Sequence, residues 1–247
     1  MRNLRLVPSL SQWLIVAASA LATLAAGWAK AQQHGRLPLE SSAALEFFKA
    51  RDLRSLETLR TIRPPQLPLA ARAAIIRGLP ADGELNPADA EKRKLAGIDT
   101  VLAFHDRAGA MEVKLIDVVQ AAIGLHARCV ILVSRRALDL LSQAELQALA
   151  AHEIGHDYFW EEYENAATSS DLRVIRELEL RSDGIALLTM REMRINPEVL
   201  SAAVEKMDRF NSRFGVPLNA ARYMPLSDRI RFQKAFASFA GATAPFR

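Results

Sequence analysis

Ser142-Gln143-Ala144-Glu145-Leu146-Gln147-Ala148-Leu149-Ala150-Ala151-His152-Glu153-Ile154-Gly155-His156 is the stretch on which the reading of the chain turns. Ser142 with Glu145 three residues on is a capping box, in which the hydroxyl and the carboxylate each satisfy a backbone amide at the start of a helix. Good helix formers follow, so the spacing predicts a helix that carries His152 and His156 on one face. Residues four apart on a helix lie roughly 6 Å apart along its axis, close enough for two imidazoles to share one metal ion. Zinc accepts such a pair, and a glutamate beside the first histidine reaches a water on the metal, which makes Glu153 the candidate general base.

A catalytic zinc takes three protein ligands and keeps one position open. Zinc proteases that continue the same helix to a glycine and a third histidine are excluded, because Phe159 and Glu162 stand at those positions. His34, His105 and His126 all lie upstream. Downstream, Glu179 and Asp183 are four apart on a second helical run. Glu179 is therefore the candidate third ligand, and Asp183 the acceptor that fixes the tautomer of a ligating histidine. Glu177 is the rival ligand, but six residues separate it from Asp183, which turns the two side chains to different faces. The bland reading is a pentapeptide that arose by chance in an ordinary helix. The capped start, a β-like run just before it and the Glu179/Asp183 pair together weigh against that.

Outward from this core, helical spacing marks Ser41 to Leu59, Ala70 to Leu79, a helix opened by Asn86-Pro87 and running to about Phe104, Asp171 to Met193, Pro197 to Phe214, and a last helix from near Ser227. Pro64-Pro65 and Pro68 break the first two apart, and Pro80-Ala81-Asp82-Gly83 reads as a turn. Met111 to Val119 and Cys129 to Ser134 are rich in Val, Ile and Leu and read as neighbouring strands. The expected fold is α+β and mostly helical, with a small sheet beside the active-site helix. The expected divisions are a signal segment at 1–31, a helical segment at 32–95 and a catalytic domain at 96–247.

Residues 1–31 have the parts of a secretory signal: Arg2 and Arg5, an apolar run from Trp13 to Ala26, and Ala29-Lys30-Ala31 as a cleavage pattern. Cleavage near Ala31 would send the chain to the periplasm or the outside. Counted from 13 to 29, the same run is a short membrane anchor, the alternative that would bring membrane contact. These residues hold Arg2, Arg5 and Lys30 and no acidic residue, so their removal takes Lys+Arg from 32 to 29 against Asp+Glu 28. Overall charge then makes no case for a nucleic-acid partner. The one cysteine, Cys129, excludes an intramolecular disulfide and reads as a small buried hydrophobe.

The sequence from Met111 to Phe236 resembles the M48 family of zinc metallopeptidases. The resemblance rests on Val130 to Ser134, Leu138-Asp139-Leu140-Leu141, Glu145-Leu146, His152 to His156 and Glu179 to Asp183. It implies a zincin-like fold, one catalytic zinc per chain, water activation by Glu153, and polypeptide substrates paired in extended form to an edge strand, which would be residues 130–134. Aligned on Arg229-Ile230, Tyr223 stands where the family carries a histidine, so the resemblance assigns Tyr223 or Arg229 to the oxyanion. Trp160, on the continuation of the His152/His156 face, is expected to pack above the site, and the acidic residues from Asp157 to Glu164 are expected to form a solvated face. Two other readings stay open: a zinc-retaining peptide-binding or chaperone-like protein with weak proteolysis, and a metal-free helical domain that docks through residues 41–80.

Overall fold

A computed structural model of the protein describes residues 37–80, 83–214 and 224–241. The signal or anchor segment expected before residue 32, and Tyr223, lie outside the described residues.

Helix α1 (Leu39–Ala50) is followed by a short helix α2 (Leu56–Leu59), a 3₁₀ turn (Arg60–Ile62) and α3 (Leu69–Arg77). The single helix expected over Ser41 to Leu59 is thus two. The chain turns between them through Asp52 in the left-handed region (φ 51°), and Ser55 opens the second piece by accepting from the Thr58 amide. After the two-residue strand β1 (Glu84–Leu85), α4 (Asp89–Phe104) begins two residues beyond Pro87, where the Glu91 carboxylate accepts from the Ala88 N–H at 2.6 Å. The division expected at residue 95 falls inside this helix, and Ala44, Leu45 and Phe48 of α1 share one core with the rest of the chain.

Three strands follow: β2 (Glu112–Ile116), β3 (Ile123–His126) and β4 (Val130–Ser134). The sheet order is β1-β2-β4-β3, with β2 and β4 parallel and both outer pairs antiparallel. Residues 130–134 are therefore an interior strand, contrary to the expectation that they form the substrate edge. Val130, Ile131 and Val133 are fully buried, as befits a strand covered on both sides, and the edge on that side is β3. Four residues that include Gly124 are too short a run to announce a strand in the sequence.

The rest is helical: α5 (Arg135–Leu140), α6 (Gln143–Tyr158), α7 (Trp160–Ser169), α8 (Leu172–Glu192), α9 (Glu198–Ser212) and α10 (Leu226–Phe239). The capping box at α6 forms as read: Ser142 Oγ accepts from the Glu145 amide, and Glu145 Oε2 accepts from the Ser142 amide at 2.6 Å. Lys206 of α9 adds an ion pair to the same carboxylate at 2.7 Å. Asp171 caps α8 by accepting from the Arg173 and Val174 amides, both at 3.1 Å. The architecture is α+β, mostly helical, with a small four-stranded mixed sheet. Helix α6 lies at its centre, between β3, α4, α9 and above all α8.

Gly155 makes the closest of these contacts possible. A Cβ there would stand 2.6 Å from Ser182 Cα, so only glycine lets α6 and α8 approach this far. On α8, Gly184 makes room for Phe48 of α1 in the same way. Among the described residues no helix is long and apolar enough to cross a membrane.

Candidate metal centre

The approach of α6 to α8 carries Glu179 across to the two histidines. Ligand atoms of His152, His156 and Glu179 all lie within 4.8 Å of one another. His152 Nε2 is 3.2 Å from His156 Nε2 and 3.4 Å from Glu179 Oε2, and His156 Nε2 is 3.7 Å from Glu179 Oε1. Donors about 2.0 to 2.1 Å from a tetrahedral ion are separated by roughly 3.3 Å, so the spacing suits one small cation.

Each histidine has its far nitrogen engaged by α8. His152 Nδ1 lies 2.9 Å from Asp183 Oδ1, and His156 Nδ1 lies 3.4 Å from Ser182 Oγ. Asp183 is ionised and can only accept, so His152 carries its proton on Nδ1 and its Nε2 lone pair faces Glu179 and His156. Burial pulls the His152 pKa down, but Asp183 and Glu179 outweigh it and hold it up at about 10. Burial chiefly, with the charges of His152 and Arg229, takes His156 the other way, down to about 4, against Glu179 and Asp183. Burial opposes the ionised form of Glu179, yet the histidines around it keep it below the usual carboxylate range. A buried cluster of this composition could hold a metal ion.

Glu153 lies on the β3 side of α6. Burial is the main cause that lifts its pKa to about 7, against His152 and the Leu125 N–H, which donates to Glu153 Oε2 at 2.9 Å. That places its proton exchange where a general base works best at neutral pH. Asp183 is held down at about 2; burial acts against ionisation, and Arg229 and His152 overcome it.

Arg229, the candidate for a developing oxyanion, embraces Asp183. Its Nε donates to Asp183 Oδ2 at 2.8 Å and its Nη2 donates to Oδ1, a bidentate pair in which both groups are buried. Asp183 thus bridges Arg229 and His152. Glu177, the rival ligand, is turned away and paired with Arg181.

Helix α6 stops at Phe159 (φ −120°, ψ 25°), and α7 starts at Trp160. The Tyr163 ring also packs against His156, at 5.4 Å between centroids and edge to face. Glu161, Glu162 and Glu164 are solvated as read, but Asp157 is 1% exposed and ion-paired with Arg107 and Arg128. Ser182 was missed as well, although its place three residues after Glu179 put it on the ligand face. No family model matches this chain, and no curated protein does either.

Proposed function

We propose that the protein is a zinc-dependent endopeptidase of the M48 type with a zincin-like fold, acting on extended polypeptides in the periplasm or outside the cell. The observation that carries this reading is the convergence of His152, His156 and Glu179, with Glu153 beside the first histidine. Two imidazoles and one carboxylate form the ligand set of a hydrolytic zinc. Zinc held there would supply Lewis acidity, lowering the pKa of a water and polarising the scissile carbonyl.

The chain's own residues would do the rest. Asp183, held by Arg229, keeps the His152 proton on Nδ1 and leaves Nε2 free to ligate. Ser182 holds His156 from the far side. Glu153, oriented by the Leu125 amide, accepts a proton from the attacking water and returns it to the leaving amine. An extended substrate would add to the sheet along β3, the edge next to α6. Export rests on the pattern of residues 1–31.

The test is cleavage of casein or an unstructured peptide by the 32–247 protein, with and without a chelator, together with metal analysis and Glu153→Gln. One zinc per chain, with chelator-sensitive cleavage lost in Glu153→Gln, is the expected result. Bound zinc without cleavage would favour a peptide-binding role, and absence of bound metal after zinc loading would refute the proposal.

A further inference from the structure

Strands β3 and β4 are joined by a tight turn in which the Cys129 N–H donates to the His126 carbonyl at 3.1 Å. Ala127 and Arg128 both have positive φ, 44° and 62°. Turns of this kind usually place Asn or Gly there, because a Cβ is crowded in the left-handed region. Two consecutive L side chains persist in it only if something outside the turn holds them.

Arg128 supplies that hold. Its Nε donates to Asp157 Oδ1 at 2.7 Å, and its Nη2 donates to the Pro65 carbonyl at 2.9 Å. The other carboxylate oxygen of Asp157 accepts from Arg107 at 2.6 and 2.8 Å, so the aspartate is fixed from both sides. Asp157 stands four residues after Glu153, one helical turn along the same face of α6. Strand β3 is thereby fastened to α6 at two points, Leu125 to Glu153 and Arg128 to Asp157.

We propose that Arg128 is a positioning residue that holds the edge strand at the height where the Leu125 amide meets Glu153. One face of α6 then sets both the base and the strand edge offered to an extended polypeptide. The substrate half of this inference rests on the endopeptidase reading; the positional half does not.

The test compares Arg128→Gln, Arg128→Gly and Arg128→Lys in the full chain by hydrogen exchange, zinc competition and peptide kinetics. Arg128→Gln and Arg128→Gly should speed exchange at the Leu125 amide at least about tenfold, leaving amides of residues 180–188 within twofold and zinc affinity within threefold. KM for an unstructured peptide should rise about tenfold, by more than kcat falls, and Arg128→Lys should recover most of both. Unchanged exchange at Leu125 would overturn the proposal, as would wild-type behaviour of Arg128→Gly, which would show that the turn needs no anchor. Protection lost equally throughout the chain would reduce Arg128 to a general stabiliser and also overturn it. If wild-type protein cleaves nothing, the endopeptidase reading falls while the exchange comparison still decides the role of Arg128.

Discussion

Gly155→Ala tests whether the metal centre depends on how closely α6 and α8 approach. The new methyl carbon would stand 2.6 Å from Ser182 Cα and 2.9 Å from the Ser182 carbonyl oxygen, against about 3.4 Å for ordinary contact. These are backbone atoms that no rotamer change can move, so the helices must part by roughly 0.8 Å, the difference between 3.4 and 2.6. Ser182 lies three residues after Glu179 on α8, and the displacement therefore reaches the third ligand. Metal sites tolerate errors of only about 0.2 Å in ligand distance, so zinc affinity should fall at least about tenfold, or ~1.4 kcal/mol. Overpacking should cost about 1 to 3 kcal/mol of stability, offset by up to ~1 kcal/mol from the better helix propensity of alanine. Gly184→Ala is the control. Its methyl would strike the Phe48 ring at 2.5 Å on the opposite side of α8, which strains the core without spreading α6 from α8. Competition against a chromophoric chelator and urea unfolding measure the two effects. The expected pattern is lower stability in both variants and weaker zinc binding in Gly155→Ala alone. Gly155→Ala with wild-type zinc affinity would refute the reasoning.

Other outcomes follow from the same geometry. Asp183→Asn should lower zinc affinity about 10- to 100-fold, and it should destabilise the protein by roughly 3 to 5 kcal/mol because the buried Arg229 charge loses the carboxylate charge it pairs with, both measurable by chelator competition and urea unfolding. Glu153→Gln should keep zinc affinity within a fewfold while cleavage falls by 10² or more, about the worth of a general base. His105, buried between Tyr158 and Thr189, has a folded pKa pushed down to about 3, chiefly by burial, from 6.5. The unfolded chain binds the extra proton between those values, so this contribution is complete above pH 6.5 and declines as pH falls toward 3, by no more than ~1.4 kcal/mol per pH unit. Urea midpoints at pH 7 and pH 5 should separate more in the wild type than in His105→Gln; equal separation would show that His105 does not titrate on unfolding.

What could be read from the sequence was whatever depends on neighbours along the chain. Ser142 with Glu145 and Asp171 before Leu172 marked helix starts that capping bonds confirm, because a cap and its amides lie within three residues. The four-residue spacing of His152 with His156, and of Glu179 with Asp183, set each pair on one helical face. Tertiary structure decided how those faces meet. The pairing of β4 with both β2 and β3 made residues 130–134 interior, since strand order depends on contacts between segments far apart in sequence. A break at Phe159 ended the helix before Trp160, and the charges of Asp157 and Arg229 were buried by partners 50 and 46 residues away. A charged residue reads as solvated until its counterion is known, and the sequence does not pair them. The same holds for the metal centre: helix periodicity proposes the ligands, but only the closeness of α6 to α8 at Gly155 brings the carboxylate of Glu179 to the histidines.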